Sequence, residues 1–575
     1  MSVRTFFITI FLVLGAGPAF FVRAERPETI GLENIRVQGD LQKRLLRNFD
    51  RLESLRFQPV EEVGCFRQAE YGWPGDMEGR TLLSLALLEQ TVDRKAVYLP
   101  KMLAMLPARL NDKGFFGEDF APKCDEQQLS GHGWYLRGLC EYYLSGRQPQ
   151  VKKMIQDVVE NLVIPTKGKY KEYPINPAER QKDYGSYSGT VVEEQGSWRL
   201  SSDIGCVFIF MDGVIQSAEV LDRKDLYPII EEMIDRFLEM DLVSIKAQTH
   251  AVLTGLRGLL RYAKATGRQD LVTEAEKRFA LYLTEASTEN HMNFNWFGRP
   301  THTEPCAIVD AFMVAVQLWQ MTGKSEYIEE AHKIYYNGIC HAQRANGGFG
   351  LEECAGSQGV FLKMKAPEAW WCCTMRGSEG LTRVAEYSFM HKDGMLVLPF
   401  FYNGLIRFEQ SDYEIKTTYP YEGKVIVRSM KKSKSSKGIS FFKPSWAGKF
   451  ELTLNGKPQT ALEKDGFAVY ENPLEAGDML IYIFEQKPYF APTHNKHTIV
   501  GFQKIYYGPL LLAADIENSK PLALPVNPSI QWDAEKCRSG VNGRKMFLQP
   551  INDIADWNYS PESYCRQILW EKTVP

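Results

Sequence analysis

The run HAVLTGLRGLLRYAKATGR, residues 250–268, decides the fold. Its apolar residues recur near the 3.6-residue period of a helix. Thr266-Gly267-Arg268 closes it, with glycine supplying the left-handed backbone that ends a helix. The same punctuation returns at Leu144-Ser145-Gly146-Arg147 and Met321-Thr322-Gly323-Lys324, with a degenerate copy at Leu221-Asp222-Arg223-Lys224. Outward from this run, helical periodicity covers Thr81–Leu88, Ala96–Leu110, Gly133–Leu144, Val151–Val163, Cys206–Val220, Leu226–Met240, Leu271–Leu283, Ala307–Met321 and Tyr327–Ile339. Successive helical hairpins predict a closed (α/α)6 barrel or an open solenoid. The long insert at 166–201, rich in Gly, Tyr, Pro and charge, fits a loop over the mouth of a barrel better than uniform stacking.

Near Met390 the period changes from helical to alternating. Met395–Phe401, Ile406–Phe408, Tyr413–Thr417, Lys424–Ser429, Ile439–Phe442, Lys449–Leu454, Phe467–Tyr470 and Met479–Phe484 read as short strands, and Asn455-Gly456 as a tight hairpin turn. Lys431–Gly438 reads as a solvated hairpin loop, and Ile499–Ala513 as a further strand pair. The expected organisation is mixed and multidomain, an (α/α)6 helical barrel followed by a β-sandwich. Residues 1–24 form a signal peptide, 25–388 the barrel, 389–490 the sandwich, and 491–575 a C-terminal β-rich segment completing or extending it.

The chain has 575 residues, of which 44% are hydrophobic and 12% aromatic, enough for a large core and against disorder. Its 68 basic and 71 acidic residues nearly balance, which argues against a nucleic-acid partner. Arg4 followed by the apolar run Phe6–Phe21 and Val22-Arg23-Ala24 is a secretory leader pattern, with a permanent N-terminal anchor as the alternative. No later stretch reaches a spanning length of unbroken apolar residues, so the expectation is a secreted or periplasmic protein without stable membrane insertion. The 11 cysteines are odd in number, so at least one stays unpaired within the chain. Cys140, Cys206 and Cys340 sit in apolar helical runs and read as small core hydrophobes.

Chemistry gathers at two motifs. Glu304-Pro305-Cys306 offers a carboxylate and a thiol, and Cys372-Cys373 two more thiols. One glutamate and three cysteines fill a tetrahedral zinc set; the alternative is four unrelated residues with buried thiols. The Cys pair opens a helix, where a thiolate is stabilised, so one of these sulfurs is a candidate nucleophile. Trp73-Pro74-Gly75-Asp76 and Asn293-Phe294-Asn295-Trp296-Phe297-Gly298-Arg299 combine aromatic faces with polar groups, a pattern suited to sugars as well as to ordinary cores. His132 and His250 each stand at a helix start, where a barrel mouth could use them or a core could simply satisfy them.

Together Glu-x-Cys, a distant Cys-Cys, Trp73–Asp76, Gly131-His132, His250-Ala251-Val252 and the Lys504–Leu511 strand resemble glycoside hydrolase family 127, the β-L-arabinofuranosidases, over roughly residues 60 to 515. The resemblance implies an (α/α)6 catalytic barrel with β-sandwich material. It also implies an exported retaining exo-glycosidase that removes terminal L-arabinofuranose, or a related rare pectic sugar, from oligosaccharide or polysaccharide substrates. By the family's motifs Cys372 is the nucleophile, and Glu304, Cys306, Cys372 and Cys373 hold Zn2+. Glu289 is the acid/base, with Glu285 as fallback; an apolar wall such as Trp296 would raise its pKa. The sugar contacts would be His132, His250, Asp76, Trp73, Trp296 and Arg376.

The sequence departs from the family pattern in several places. Pro305 replaces a threonine, Thr374-Met375-Arg376-Gly377 replaces a proline-containing turn, a histidine expected near Gly205-Cys206 is absent, and Glu289 lies one residue short of the implied spacing. Arg376 suggests an acidic pectic sugar as an alternative substrate. A zinc-stabilised glycan-binding protein without turnover is a second alternative, and a polysaccharide lyase a third.

Overall fold

The structure is a computed structural model describing residues 26–60, 66, 72–180, 189–357, 359–431, 436–516, 520–542, 546–552 and 565–572. The leader expected at 1–24 and residues 432–435 of the expected basic loop lie outside them.

Six helices make the inner wall: α1 (Asp76–Thr91), α2 (Glu126–Gly146), α3 (Phe208–Leu221), α4 (Thr249–Thr266), α5 (Pro305–Thr322) and α6 (Cys373–Tyr387). Each packs on the next, and α6 returns to α1, so the ring closes and the open solenoid is excluded. The inner helices are buried on nearly every side, whereas Gly39–Leu52, Pro149–Val158 and Glu326–Ile334, on the outside, bury one stripe each. Gly79 permits the tightest crossing: a Cβ there would lie 2.2 Å from the Tyr135 backbone nitrogen. The four punctuation marks are the left-handed ends of α2 to α5. Gly267 and Gly323 close α4 and α5 as expected, but Arg147 and Asp222 take the left-handed position after α2 and α3.

Inside the ring the helices exchange charge. Arg137 of α2 bridges Asp212 of α3 at 3.1 Å and Glu379 of α6 at 2.8 Å. Arg257 of α4 reaches Asp212 and Glu379, each at 3.2 Å, and also pairs with Asp310 of α5. Arg376 of α6 meets Asp310 at 2.8 Å and pairs with Glu379. Three arginines and three acids balance, as buried charges must. One helix among the described residues, α5, is long and apolar enough to cross a membrane; it is a buried barrel wall.

Two sheets form the sandwich. One runs through 28–29, 390–392, 395–398, 439–442, 467–470 and 462–464; the other through 457–459, 450–454, 479–484, 424–429, 411–417, 404–408 and 35–37. Asn455 and Gly456, both at positive φ, make the expected hairpin turn. Residues 28–37, expected in the barrel, supply an edge strand to each sheet. The C-terminal segment, expected to complete or extend the sandwich, builds a third sheet. Strand 510–515 pairs with 547–550 and 565–567, and 565–567 pairs with 361–366. From there the sheet passes through 351–353 to the hairpin 294–296 and 299–303, which ends one residue before Glu304. The tail's short, polar strands find their partners in hairpins far back in the chain, so no local period announces the pairing.

A thiol-rich candidate active site at the barrel mouth

The starts of α4, α5, α6 and α1 meet at one end of the ring. Glu304 is the residue preceding α5, Pro305 its first residue and Cys306 its second. Proline is well placed there, because a first-turn N–H has no partner to lose. Cys372 precedes α6 and Cys373 begins it. Gly380 lets α6 close on Val309 of α5, where a Cβ would sit 2.8 Å from the Val309 side chain. That crossing brings the thiols together: Cys306 and Cys373 sulfurs are 3.4 Å apart, and Cys372 and Cys373 sulfurs 3.3 Å.

The donors form two triads that share Cys306. Cys306, Cys372 and Cys373 make one, and His250, Glu304 and Cys306 the other. The sulfur separations are a few tenths of an ångström under the roughly 3.8 Å edge of a tetrahedral zinc–thiolate site with 2.3 Å bonds. Glu304 Oε2 is buried without a hydrogen-bond partner, an acceptor that costs about 1–3 kcal/mol to leave so. Three soft sulfurs and one orphaned carboxylate oxygen fit a thiophilic divalent metal, zinc above all.

Around these donors lies a second layer. Arg80 Nη1 donates to Cys306 Sγ at 3.7 Å, while its Nε grips both Asp76 oxygens at 2.8 and 2.9 Å. His250 links Glu304, 3.6 Å from Nδ1, to Asp310, 3.2 Å from Nε2, and stacks on Trp134. The Arg80 and Arg376 guanidinium groups lie 4.4 and 4.2 Å from the same indole. Burial works to raise the Glu304 carboxyl, but His250 and Arg80 outweigh it and hold it below its ordinary value. Burial pushes the Cys306 and Cys373 thiols well up. For Cys372 the hydrogen bond with Cys306 pulls down, but Cys373 and burial win and it too is raised. The helix start alone does not make the low-pKa thiolate expected there.

Several expected sugar contacts are differently engaged. His132 is fully buried: Nδ1 donates to the Gln128 carbonyl at 2.7 Å and Nε2 accepts from the Phe116 N–H at 2.9 Å. Both ring nitrogens are spent, and burial holds its pKa down at about 4. Asp76 is bound to Arg80. Arg376 lies inside the ion lattice, where no sugar carboxylate reaches it, so it gives no support to an acidic substrate. Trp73 is half-buried against the Trp134 cluster. Trp296 is buried beside Arg299 and His302.

Glu289 also departs from expectation. Lys504 Nζ is 2.8 Å from its carboxylate, and Thr498 Oγ1 donates to it at 2.6 Å. The His494 and Asn495 N–H groups donate as well. Burial raises its pKa, but His494, Lys504 and Thr498 overcome that and bring it to about 2. The apolar wall expected to protonate it is replaced by donors and a cation. Glu285 is held by Lys496 and by His497 at 3.1 Å. Both candidate acids therefore face the segment 494–504.

Sequence reasoning missed Arg80, Asp310, Trp134 and Gln248. Arg80 had a signal, the four-residue spacing from Asp76. Asp310, inside an apolar helix, read as an interruption. Cys140, Cys206 and Cys340 are buried in the core.

A closed helical ring, a sandwich behind it and a thiol-carboxylate mouth define the architecture. The family model for the middle domain of GH127 beta-L-arabinofuranosidases matches residues 396–485, the sandwich strands. A non-reducing end beta-L-arabinofuranosidase of Bifidobacterium longum subsp. longum is 24% identical over 342 residues, 52% of this chain and 49% of the relative. The chain thus spans about half the length of the curated relative it matches. Among solved structures, a glycoside hydrolase superposes with a TM-score of 0.71 at 13% identity, covering 96% of this chain and 98% of its own. A GH127 beta-arabinofuranosidase gives 0.69 at 11%, covering 95% and 98%. A GH127 beta-L-arabinofuranosidase from Geobacillus stearothermophilus T6 gives 0.68 at 10%, covering 94% and 100%. The fold is theirs, and the sandwich strands are similar to the GH127 middle domain.

Proposed function

We propose that the protein is an exported, retaining exo-glycoside hydrolase that releases terminal L-arabinofuranose, or a related rare sugar, from plant-type glycans. The observation that carries the reading is the convergence of three cysteine sulfurs, joined through Cys306 to Glu304 with its orphaned oxygen, at the mouth of a closed GH127-like ring. The coverage of the solved GH127 chains and the arabinofuranosidase relative support the substrate class.

Glu304, Cys306, Cys372 and Cys373 would hold zinc, with His250 buttressing Glu304 from behind. Bound zinc supplies a sulfur that is deprotonated at neutral pH despite its burial. Cys372 is the sulfur best placed to attack: it stands before the helix rather than in it, next to Trp371, which is 37% exposed. Its sulfur would bond the anomeric carbon as the glycosidic C–O bond breaks, the leaving oxygen taking a proton from solvent at the mouth, and water would later displace the sulfur and give up a proton, so configuration would be retained. Arg80 and Asp310 hold Cys306 and His250 in place.

A second reading rests on Glu289. A carboxylate at about 2 and saturated with donors does not protonate a leaving oxygen. If no other group supplies that proton, the mouth binds glycan without cleaving it. Product analysis separates the two. Purified zinc-loaded protein is incubated with β-L-arabinofuranosyl oligosaccharides, with Cys372→Ser as blank. Free L-arabinose from the wild type alone supports hydrolysis; no release, with saturable glycan binding, supports the binding protein.

A further inference from the structure

We propose that Gln248 and Trp296 form the wall that positions a sugar ring at the thiol mouth, reading its hydroxyls with one acceptor and one donor. This rests on the glycan reading above; of the expected sugar contacts it keeps Trp296, through its indole N–H, and adds Gln248, since His132, Asp76 and Arg376 are committed elsewhere.

Gln248 is the residue before α4, and it bridges Trp296 antiparallel across the backbone. Residues paired this way project their side chains from the same face. Gln248 is 5% exposed and Trp296 3%. Yet Gln248 Oε1 and Trp296 Nε1 have no hydrogen-bond partner, and neither does Thr249 Oγ1 beside them. Buried polar groups are almost always paired, so an acceptor and a donor left unpaired on two bridged residues call for a ligand that pairs them.

Both residues neighbour the site along the chain. His250, two residues after Gln248, is 3.6 Å from Glu304. The Trp296 ring meets His302 edge-on at 5.6 Å, and His302 lies two residues before Glu304. Arg299 covers one indole face at 4.8 Å, so the ring is held rigid and its N–H is the part left to bind. An amide oxygen and an indole N–H accept from and donate to hydroxyls, the complement of a polyol ring. A wall of this kind discriminates strongly against an analogue lacking the paired hydroxyl, because its own groups are then stranded.

The test is calorimetric binding of a non-hydrolysable C-glycoside analogue of β-L-arabinofuranose and its mono-deoxy forms to zinc-loaded wild type, Gln248→Leu and Trp296→Phe. Thermal melting and zinc content check each variant. Each variant is expected to bind the parent analogue about 10-fold more weakly, the worth of one hydrogen bond. One deoxy analogue should lose a similar factor on the wild type and nothing further on Gln248→Leu. Folded, zinc-replete variants that bind as the wild type does, losses that simply add for every deoxy analogue, or no saturable binding by the wild type would each overturn the proposal. Because binding is read without turnover, a protein that binds through this wall but never cleaves would fail the hydrolase reading while leaving the wall intact.

Discussion

Replacing Glu289 by glutamine distinguishes an anchor from a proton donor. Its carboxylate ties the turn before the Glu304 hairpin to the C-terminal sheet through Lys504, Thr498 and two backbone N–H groups. A carboxyl drawn from 4.5 to about 2 contributes roughly 3 kcal/mol at neutral pH, at about 1.4 kcal/mol per pH unit. Lys504 offsets part of this, because burial lowers its own pKa. Removing the charge also strands Lys504, so Glu289→Gln is expected to cost about 2–4 kcal/mol. Urea unfolding followed by tryptophan fluorescence reads it as an earlier midpoint, and Lys504→Met in the same background should recover at least about 1 kcal/mol. The sign in pH follows from a lowered pKa: the Glu289 contribution is fully present above 4.5, shrinks as pH falls, and is gone below about 2. The wild-type advantage over the variant should follow that curve. An unchanged midpoint with kcat/KM down by about 100-fold or more would refute the anchor and restore Glu289 as acid/base.

Other expectations concern the mouth. Arg376→Met should destabilise the barrel by about 3–5 kcal/mol, by leaving Asp310 and Glu379 under-paired, and should not alter any preference between neutral and acidic sugars; denaturant midpoints and competition kinetics check this. His132, neutral and held down at about 4, stabilises the fold fully above pH 6.5 and progressively less toward pH 4, where the unfolded chain takes up a proton the native one refuses. The loss between those pH values should be smaller in His132→Gln, read as melting temperature against pH. Cys306→Ala removes the sulfur common to both donor triads and should lose zinc and stability together. Stoichiometric zinc by elemental analysis in that variant would take Cys306 out of the ligand set.

The helical ring was legible because its helices carry strong periods and repeated ends, and the sandwich because its strands alternate. The thiol set was legible as two motifs, but their meeting was not, since it depends on Gly380 admitting α6 against α5. The sugar contacts were the least legible part. A histidine or arginine at a helix start looks the same in sequence whether it faces the mouth, as His250 does, or is consumed by its neighbours, as His132 and Arg376 are. Glu289 shows the same limit from the other side. Its spacing suggested an acid, but its pKa is set by Lys504 and Thr498, more than 200 residues away, which reach it only through the third sheet.

The central claim is that Cys372 becomes covalently bound to the sugar. The direct measurement is intact-mass analysis with peptide mapping of acid-quenched, zinc-loaded protein during turnover of an aryl β-L-arabinofuranoside. The account predicts a pentose adduct on the peptide containing Cys372, absent from Cys372→Ser, whose kcat falls by about 10⁴-fold or more. Turnover with no adduct, an adduct on another residue, or a Cys372→Ser protein that hydrolyses at the wild-type rate would contradict it.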